Sequence, residues 1–312
     1  MLLFWICAAV LLLALLLAAG LYLFIYFNHP DKHKKIGDCL SGHQYKNYSE
    51  LFLSYIKQIK EWEHKRVYIR SFDGKKLSAR VYENGPGAPV AILMHGYRAE
   101  AMNDFAGILP IIRKLGYTIV LIDERACGKS EGVTITFGVK ERKDCVSWIR
   151  YVLKHYGPDT RILLYGVSMG AATVMMASSL DLPRNVEAII EDCGYTTPKD
   201  IIMKTAADMG LPAKFLYPFA RIGALLFGGF DVESASPLDS VAEAKIPILF
   251  IHGYQDGFVP YSMGSMLYDA CSGPKRMETF DRGEHAVSVL SDPWKYESVV
   301  SSFIKGLQEE KA

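Results

Sequence analysis

The sequence predicts an α/β fold in which a mostly parallel central sheet is covered by helices on both faces, with a hydrophobic helix ahead of it at the N-terminus. Three observations predict it. Short apolar runs at 90–94, 118–122, 161–165, 188–191 and 248–251 look like buried strands, and helical segments around 105–115, 139–155 and 170–180 separate them. Two further runs, 67–71 and 77–82, flank Asp73-Gly74, a hairpin turn signal. The run at 161–165 also passes straight through Gly166-Val167-Ser168-Met169-Gly170 into Ala171-Ala172, a tight strand-to-helix turn centred on a serine.

The chain has 312 residues, with 35 Lys+Arg against 34 Asp+Glu and half of its residues apolar. A net charge of +1 leaves no basic footprint for nucleic acid, so no nucleic-acid partner is expected. Ordinary glycine and proline counts and 22% charged residues exclude a collagen-like or disordered chain.

From Leu2 to Phe27 no charge occurs and only Gly20 interrupts the apolar run. About 26 residues at ~1.5 Å each reach roughly 39 Å, enough to cross a ~30 Å hydrocarbon layer with tilt. No Lys or Arg precedes the run and its end is bulky, so residues 1–27 read as an uncleaved single-span transmembrane anchor. Cleavage near Ala18-Ala19-Gly20 is the alternative. Trp5, Tyr22 and Tyr26 suit interfacial positions. Lys32, Lys34 and Lys35 follow the span, which favours the cytoplasmic side for the C-terminal domain, a bias that a large following domain can override in favour of the extracytoplasmic side. Cys7 lies in the span, and the other five cysteines are widely spaced with no C-x-x-C pair, which argues against a disulfide framework or a zinc site.

Residues 28–65 read as a juxtamembrane linker and an amphipathic helix. Asn47 followed by Glu50 resembles a capping box, and Leu51, Phe52, Tyr55, Ile56, Ile59 and Trp62 then fall at helical spacing. That helix is expected to pack on the domain that follows, 66–312, rather than lie on the membrane surface.

The serine turn carries the chemistry. So tight a turn crowds its neighbours, so the positions two before and two after the central residue must be small. The same turn holds the hydroxyl up at the sheet edge over a helix N-terminus. On these residues the sequence resembles the α/β-hydrolase superfamily over about residues 66–306. It looks closest to bacterial N-terminally anchored esterase/lipase-like and serine-peptidase-like hydrolases. The resemblance implies the chain order nucleophile, acid, base. Ser168 is then the nucleophile. Asp256, just past the strand 248–251, stands in what looks like the family's acid loop, with Asp231 and Asp239 as rivals in an insertion before that strand. His285, in Gly283-Glu284-His285-Ala286 after a last strand at 276–280, is the one histidine beyond the acid and so the base. The loop His95-Gly96-Tyr97-Arg98 after the strand 90–94 maps the two oxyanion N–H donors onto Tyr97 and Met169. The side chains of His95 and His252 read as structural.

Asp123-Glu124-Arg125-Ala126-Cys127-Gly128-Lys129-Ser130 resembles another family loop, usually Asp-x-Arg-Gly-x-Gly-x-Ser, and reads as scaffold, with Ala126 where glycine is common. Residues 195–240 exceed a simple crossover and are apolar (Met203, Phe215, Leu216, Phe219, Leu225 and Phe227 among them), so a cap over Ser168 is expected. Such a cap suits an acyl chain or another hydrophobic group. The implied activity is a serine hydrolase cleaving carboxylic esters, lipidic or otherwise hydrophobic, with no cofactor and no metal required. A serine aminopeptidase or acyl-peptide hydrolase, a thioesterase or acyltransferase, and a non-catalytic membrane-tethered binding module are the alternatives. The acyl length, the leaving group and the oligomeric state are not set by the sequence.

Overall fold

A computed structural model describes residues 1–29 and 35–309. Lys32 and Lys34, which carry most of the orientation bias, lie outside the described residues. Among those described, the strands are β1 (Lys65–Arg70), β2 (Lys76–Tyr82), β3 (Val90–Met94), β4 (Thr118–Asp123), β5 (Ile162–Val167), β6 (Val186–Asp192), β7 (Ile248–Gly253) and β8 (Lys275–Phe280). They form one sheet in the order β1-β2-β4-β3-β5-β6-β7-β8. β2 runs antiparallel to both β1 and β4, and every later pairing is parallel. β3, β4, β5 and β7 are buried along their whole length, which is why they read as unbroken apolar runs rather than alternating ones. The β1–β2 hairpin closes through Ser71, whose N–H bonds Lys75 O at 2.8 Å, with Gly74 at φ +83°.

The helices are α1 (Leu2–Ile25), α2 (Ser49–Lys60), α3 (Ala101–Phe105), α4 (Ile108–Lys114), α5 (Glu141–Tyr156), α6 (Met169–Ala177), α7 (Pro198–Asp208), α8 (Ala213–Gly223), α9 (Pro237–Glu243), α10 (Tyr261–Ala270), α11 (Ser288–Ser291) and α12 (Pro293–Glu309). One sheet face packs against α2, α4 and α12 through Phe52, Ile56, Ile112, Val300 and Ile304. The other packs against α5, α6 and α10 through Trp148, Ile149, Val174 and Leu267. This is the α/β-hydrolase architecture, with α7, α8 and a π-helical turn at Ala224–Gly228 inserted as a helical cap between β6 and β7.

Two local expectations are corrected. The single helix expected over 105–115 is two, α3 and α4, separated at Ala106-Gly107. Pro110 accounts for the break: inside a continuous helix its ring would strike the carbonyl of residue 106, whereas in the first turn of α4 its missing N–H is not needed. Asn47 does not cap α2. The residue before that helix is Tyr48, without a side-chain cap bond, because the 3-10 turns Asp38–Ser41 and His43–Tyr48 run directly into it. The packing expectation for α2 holds: Phe52, Ile56 and Ile59 are buried against the body, worth about 1.5–3 kcal/mol each. Side-chain capping does act elsewhere: Glu100 accepts Met102 N–H at the start of α3, and Thr197 and Ser236 accept the N–H of Asp200 and Asp239 ahead of Pro198 and Pro237.

Helix α1 is long and apolar enough to cross a membrane. Its first four turns are exposed, but its last two are built into the protein. Ala18, Tyr22 and Tyr26, one helical turn apart, are buried against the cap and the loop 133–137. Tyr22 and Tyr26 were expected at a lipid interface. Instead Tyr22 Oη lies 2.7 Å from Thr134 Oγ1, and Ile135 N–H donates to Tyr26 O at 2.8 Å.

Candidate active site

Four chain segments converge at the carboxyl end of the sheet. β5 ends in the serine turn, and Ser168 takes φ 56° and ψ −114°, a conformation that non-glycine residues rarely adopt. The need for small neighbours is visible atom by atom. A Cβ on Gly166 would overlap the backbone of Gly170, and one on Gly170 would overlap the carbonyl oxygen of Met94 on β3. Ser168 N–H is held by Asp192 O at 2.8 Å, so the turn is pinned to β6 as well.

His285 lies in the loop after β8, with Nε2 2.9 Å from Ser168 Oγ and Nδ1 2.7 Å from Asp256 Oδ2. Asp256 follows β7 and is buried. Its other oxygen accepts the N–H groups of Phe258 and Val259 at 2.9 and 2.7 Å, which fixes the carboxylate in one orientation. His252 also nears Asp256, at 3.7 Å, but its Nε2 donates to Val259 O at 2.9 Å, and burial pushes its pKa down, so the ring stays neutral and supports the loop.

The loop after β3 brings Tyr97 against the serine turn. Gly96 lies so close that an added Cβ would sit 3.7 Å from Ser168 Oγ. Its N–H donates to Asp104 Oδ2 at 2.7 Å. Sequence reasoning missed Asp104, which stands eight residues on in α3 with no motif around it. Burial pushes its carboxyl up, while His95 and the Gly96 N–H pull it down. His95 is structural, as expected: Nε2 accepts Glu124 N–H at 3.0 Å and Nδ1 bonds Gly96 O at 2.8 Å. The 123–130 loop is scaffold too. Arg125 is almost fully buried and grips Asp144 through two bonds of 2.6 and 2.7 Å. Ala126 sits at φ 61°, the left-handed geometry that explains glycine's usual place there.

Cys193, Asp256 and His285 place potential metal-ligand atoms within 4.8 Å of one another. The donor set does not suit an ion. Burial holds the Cys193 thiol well above its ordinary pKa, hence protonated, and His285 Nδ1 is already engaged by Asp256.

Two spaces meet at Ser168. One is a polar cleft of about 640 Å³, bordered by Arg98, Glu100, Asn103, Glu284 and His285. The other is an apolar cavity of about 190 Å³ beneath the cap, bordered by Met169, Ile202, Leu216 and Tyr217 and, from α1, Leu21 and Ile25.

The α/β-hydrolase fold and the hydrogen-bonded series of serine, histidine and carboxylate together define a serine hydrolase. Among families, the profile of the X-Pro dipeptidyl-peptidase (S15 family) matches residues 73–212, which takes in Ser168 and ends before Asp256. The chain is similar to the uncharacterized protein YqkD of Bacillus subtilis, 28% identical over 222 residues, 70% of this chain and 72% of that one. It is also similar to protein bem46 of Schizosaccharomyces pombe, 27% identical over 252 residues, 78% of this chain and 77% of that one. Among solved structures, an esterase from Pyrococcus furiosus superposes with a TM-score of 0.66 at 24% identity, covering 80% of this chain and 92% of that one.

Proposed function

We propose that the protein hydrolyses carboxylic esters with one apolar and one polar end, through Ser168, His285 and Asp256. The observation that carries this reading is the unbroken series Ser168 Oγ–His285–Asp256, at 2.9 and 2.7 Å, on a strained turn where two unlike spaces meet. The acyl chain lies in the apolar cavity and the alcohol in the polar cleft. Ser168 Oγ attacks the carbonyl carbon as His285 Nε2 takes its proton, and Asp256 steadies the imidazolium through Nδ1–H. The N–H groups of Tyr97 and Met169 hold the oxyanion, a contribution of roughly 3–4 kcal/mol per donor. His285 then protonates the departing alkoxide. Water, deprotonated by the same imidazole, cleaves the acyl-enzyme and releases the acid.

The likeness to the Pyrococcus furiosus esterase supports ester chemistry by analogy of fold. The apolar helix α1 supports a bound, single-span protein organised as anchor 1–27, juxtamembrane segment 28–65 and hydrolase domain 66–312 with its cap at 195–240. Lys32, Lys34 and Lys35 favour the cytoplasmic side for the domain. The S15 profile favours a second reading, cleavage of peptide amides.

One assay separates them. The full chain and its Ser168→Ala variant are compared in detergent on p-nitrophenyl esters from two to sixteen carbons and on aminoacyl-anilides. Ester turnover that disappears in the variant is expected. Anilide turnover exceeding ester turnover would replace the esterase by a peptidase, and no turnover in a folded protein would overturn both.

A further inference from the structure

We propose that the cap is immersed in the membrane beside α1, and that acyl chains pass sideways from the bilayer into the cavity through a mouth whose wall is the last two turns of α1. On this view the helix is part of the substrate site as well as an anchor. The acyl-ester substrate rests on the reading above; the immersion does not.

The first argument is continuity. Where α1 already lies on the cap, through Ala18 and Tyr22, its outward side chains Leu23 and Phe24 are both 56% exposed, so the apolar surface of the helix runs on to the depth of the cap. A bilayer that covers that stretch of the helix also covers the cap beside it.

The second argument is what the cap shows there. Gly223 of α8 touches α1: a Cβ on it would overlap the carbonyl oxygen of Ala18 and stand 3.1 Å from Tyr22 Cβ. Just beyond that contact Leu225, Leu226 and Phe227 are 46%, 59% and 48% exposed, and Phe215 on α8 is 62% exposed. A run of large apolar side chains facing water is unfavourable at about 25 cal/mol per Å² of apolar area, whereas facing lipid it is where it belongs. The patch continues the apolar surface of α1 itself.

The third argument is the cavity. Leu21, Phe24 and Ile25 of α1 border it together with Met209, Leu211 and Leu216 of the cap, and Ser168 and Met169 stand at its inner end. α1 is held in that place from the catalytic side. Tyr97 Oη donates to Ile25 O at 2.5 Å, and Arg98 Nη2 donates to Phe24 O and Phe27 O at 2.9 and 2.6 Å. The loop proposed to supply an oxyanion donor is thus bolted to the end of the helix.

The test uses the full chain in lipid nanodiscs and follows the ratio of p-nitrophenyl palmitate to p-nitrophenyl butyrate turnover. Leu21→Trp, which fills the mouth, and the surface double variant Leu226→Glu/Phe227→Glu, which puts charge where lipid is expected, should each lower that ratio at least tenfold. A ratio within threefold of wild type in either variant overturns the proposal. A separate reading needs no catalysis: with Trp5→Phe as background, a tryptophan placed by Phe227→Trp should be quenched by lipids brominated high on the acyl chain. Absence of added quenching also overturns it. Failure of the esterase reading looks different, as wild-type protein that turns over neither ester while Phe227→Trp is still quenched.

Discussion

Replacing Asp256 by asparagine sets two hydrogen-bonding demands against each other. In the wild type one carboxylate oxygen accepts two backbone N–H groups, from Phe258 and Val259, and the other accepts His285 Nδ1–H at 2.7 Å. Asparagine has a single acceptor oxygen. If that oxygen stays on the two N–H groups, the amide NH₂ faces Nδ1, which must become an acceptor, and the imidazole proton moves to Nε2. If the amide flips, the NH₂ opposes two buried N–H donors, each left unpaired at about 1–3 kcal/mol. The Asp256 side chain is fully buried, so water offers those donors little relief. The first arrangement wins by roughly 2–6 kcal/mol, and it leaves Nε2–H pointing at Ser168 Oγ, unable to take its proton. A wrong-tautomer imidazole costs about 10⁴ in kcat, or ~5.4 kcal/mol at 1.36 kcal/mol per decade. The assay is initial-rate turnover of p-nitrophenyl butyrate by Asp256→Asn in detergent, beside its fluorophosphonate labelling rate and thermal midpoint. A folded variant with kcat within tenfold of wild type would show that Asp256 does not set the His285 tautomer, and the acid would have to be sought elsewhere.

Gly170→Ala should lower kcat by about 10²-fold or more, because the new Cβ meets the Met94 carbonyl and pushes the Ser168–Met169 turn off its position; unchanged turnover would mean the turn relaxes freely. Arg125→Met strands the buried Asp144 carboxylate and should cost about 3–5 kcal/mol in a denaturation midpoint, with turnover per folded molecule little changed. Asp192 is buried beneath the site and accepts Tyr296 Oη–H at 2.6 Å. Burial pushes its carboxyl up to about 7, against the pull of Tyr296. Its folded pKa thus lies above its unfolded one, near 4, so the folded protein holds the extra proton between them and stability falls as pH rises from about 4 to about 7. Asp192→Asn should remove that step, on the order of 4 kcal/mol, and raise the midpoint at pH 8 relative to wild type. A midpoint-against-pH slope identical to wild type would refute it.

What the sequence could and could not disclose follows from how each feature is encoded. Strands buried on both faces must be apolar at every position, so β3, whose limits match at Val90 and Met94, is written in composition alone. The serine turn is legible for a similar reason, since overlap at Gly166 and Gly170 leaves no other residue type. Asp256 and His285 lack such a signature, and their assignment rests on what the resemblance to α/β-hydrolases implies: the chain order for both, and for Asp256 the acid loop just past a strand. Asp104 was missed because one carboxylate accepting one N–H leaves no pattern in its surroundings.

Helix α1 is the instructive case. An amphipathic helix announces its docking face because the other face is polar, as α2 does with Phe52, Ile56 and Ile59 between lysines and glutamates. α1 is apolar all round, so no periodicity separates the side that meets lipid from the side that meets the cap, and the whole run reads as lipid-facing. The residues that mark its protein face were in view: Ala18, Tyr22 and Tyr26 recur every fourth position, a small residue for close approach to Gly223 and two tyrosines for the loop 133–137. Tyrosine at the end of a span has two uses, at a headgroup or against a folded domain, and both ask for an apolar ring with a polar tip. Only the partner distinguishes them. Here the hydroxyl of Tyr22 meets Thr134, a residue 112 positions away whose place beside α1 depends on the sheet having already formed. The same dependence explains why Leu21 and Ile25 could not be recognised as cavity residues: the space they border exists only once α1, the cap and the serine turn have been brought together.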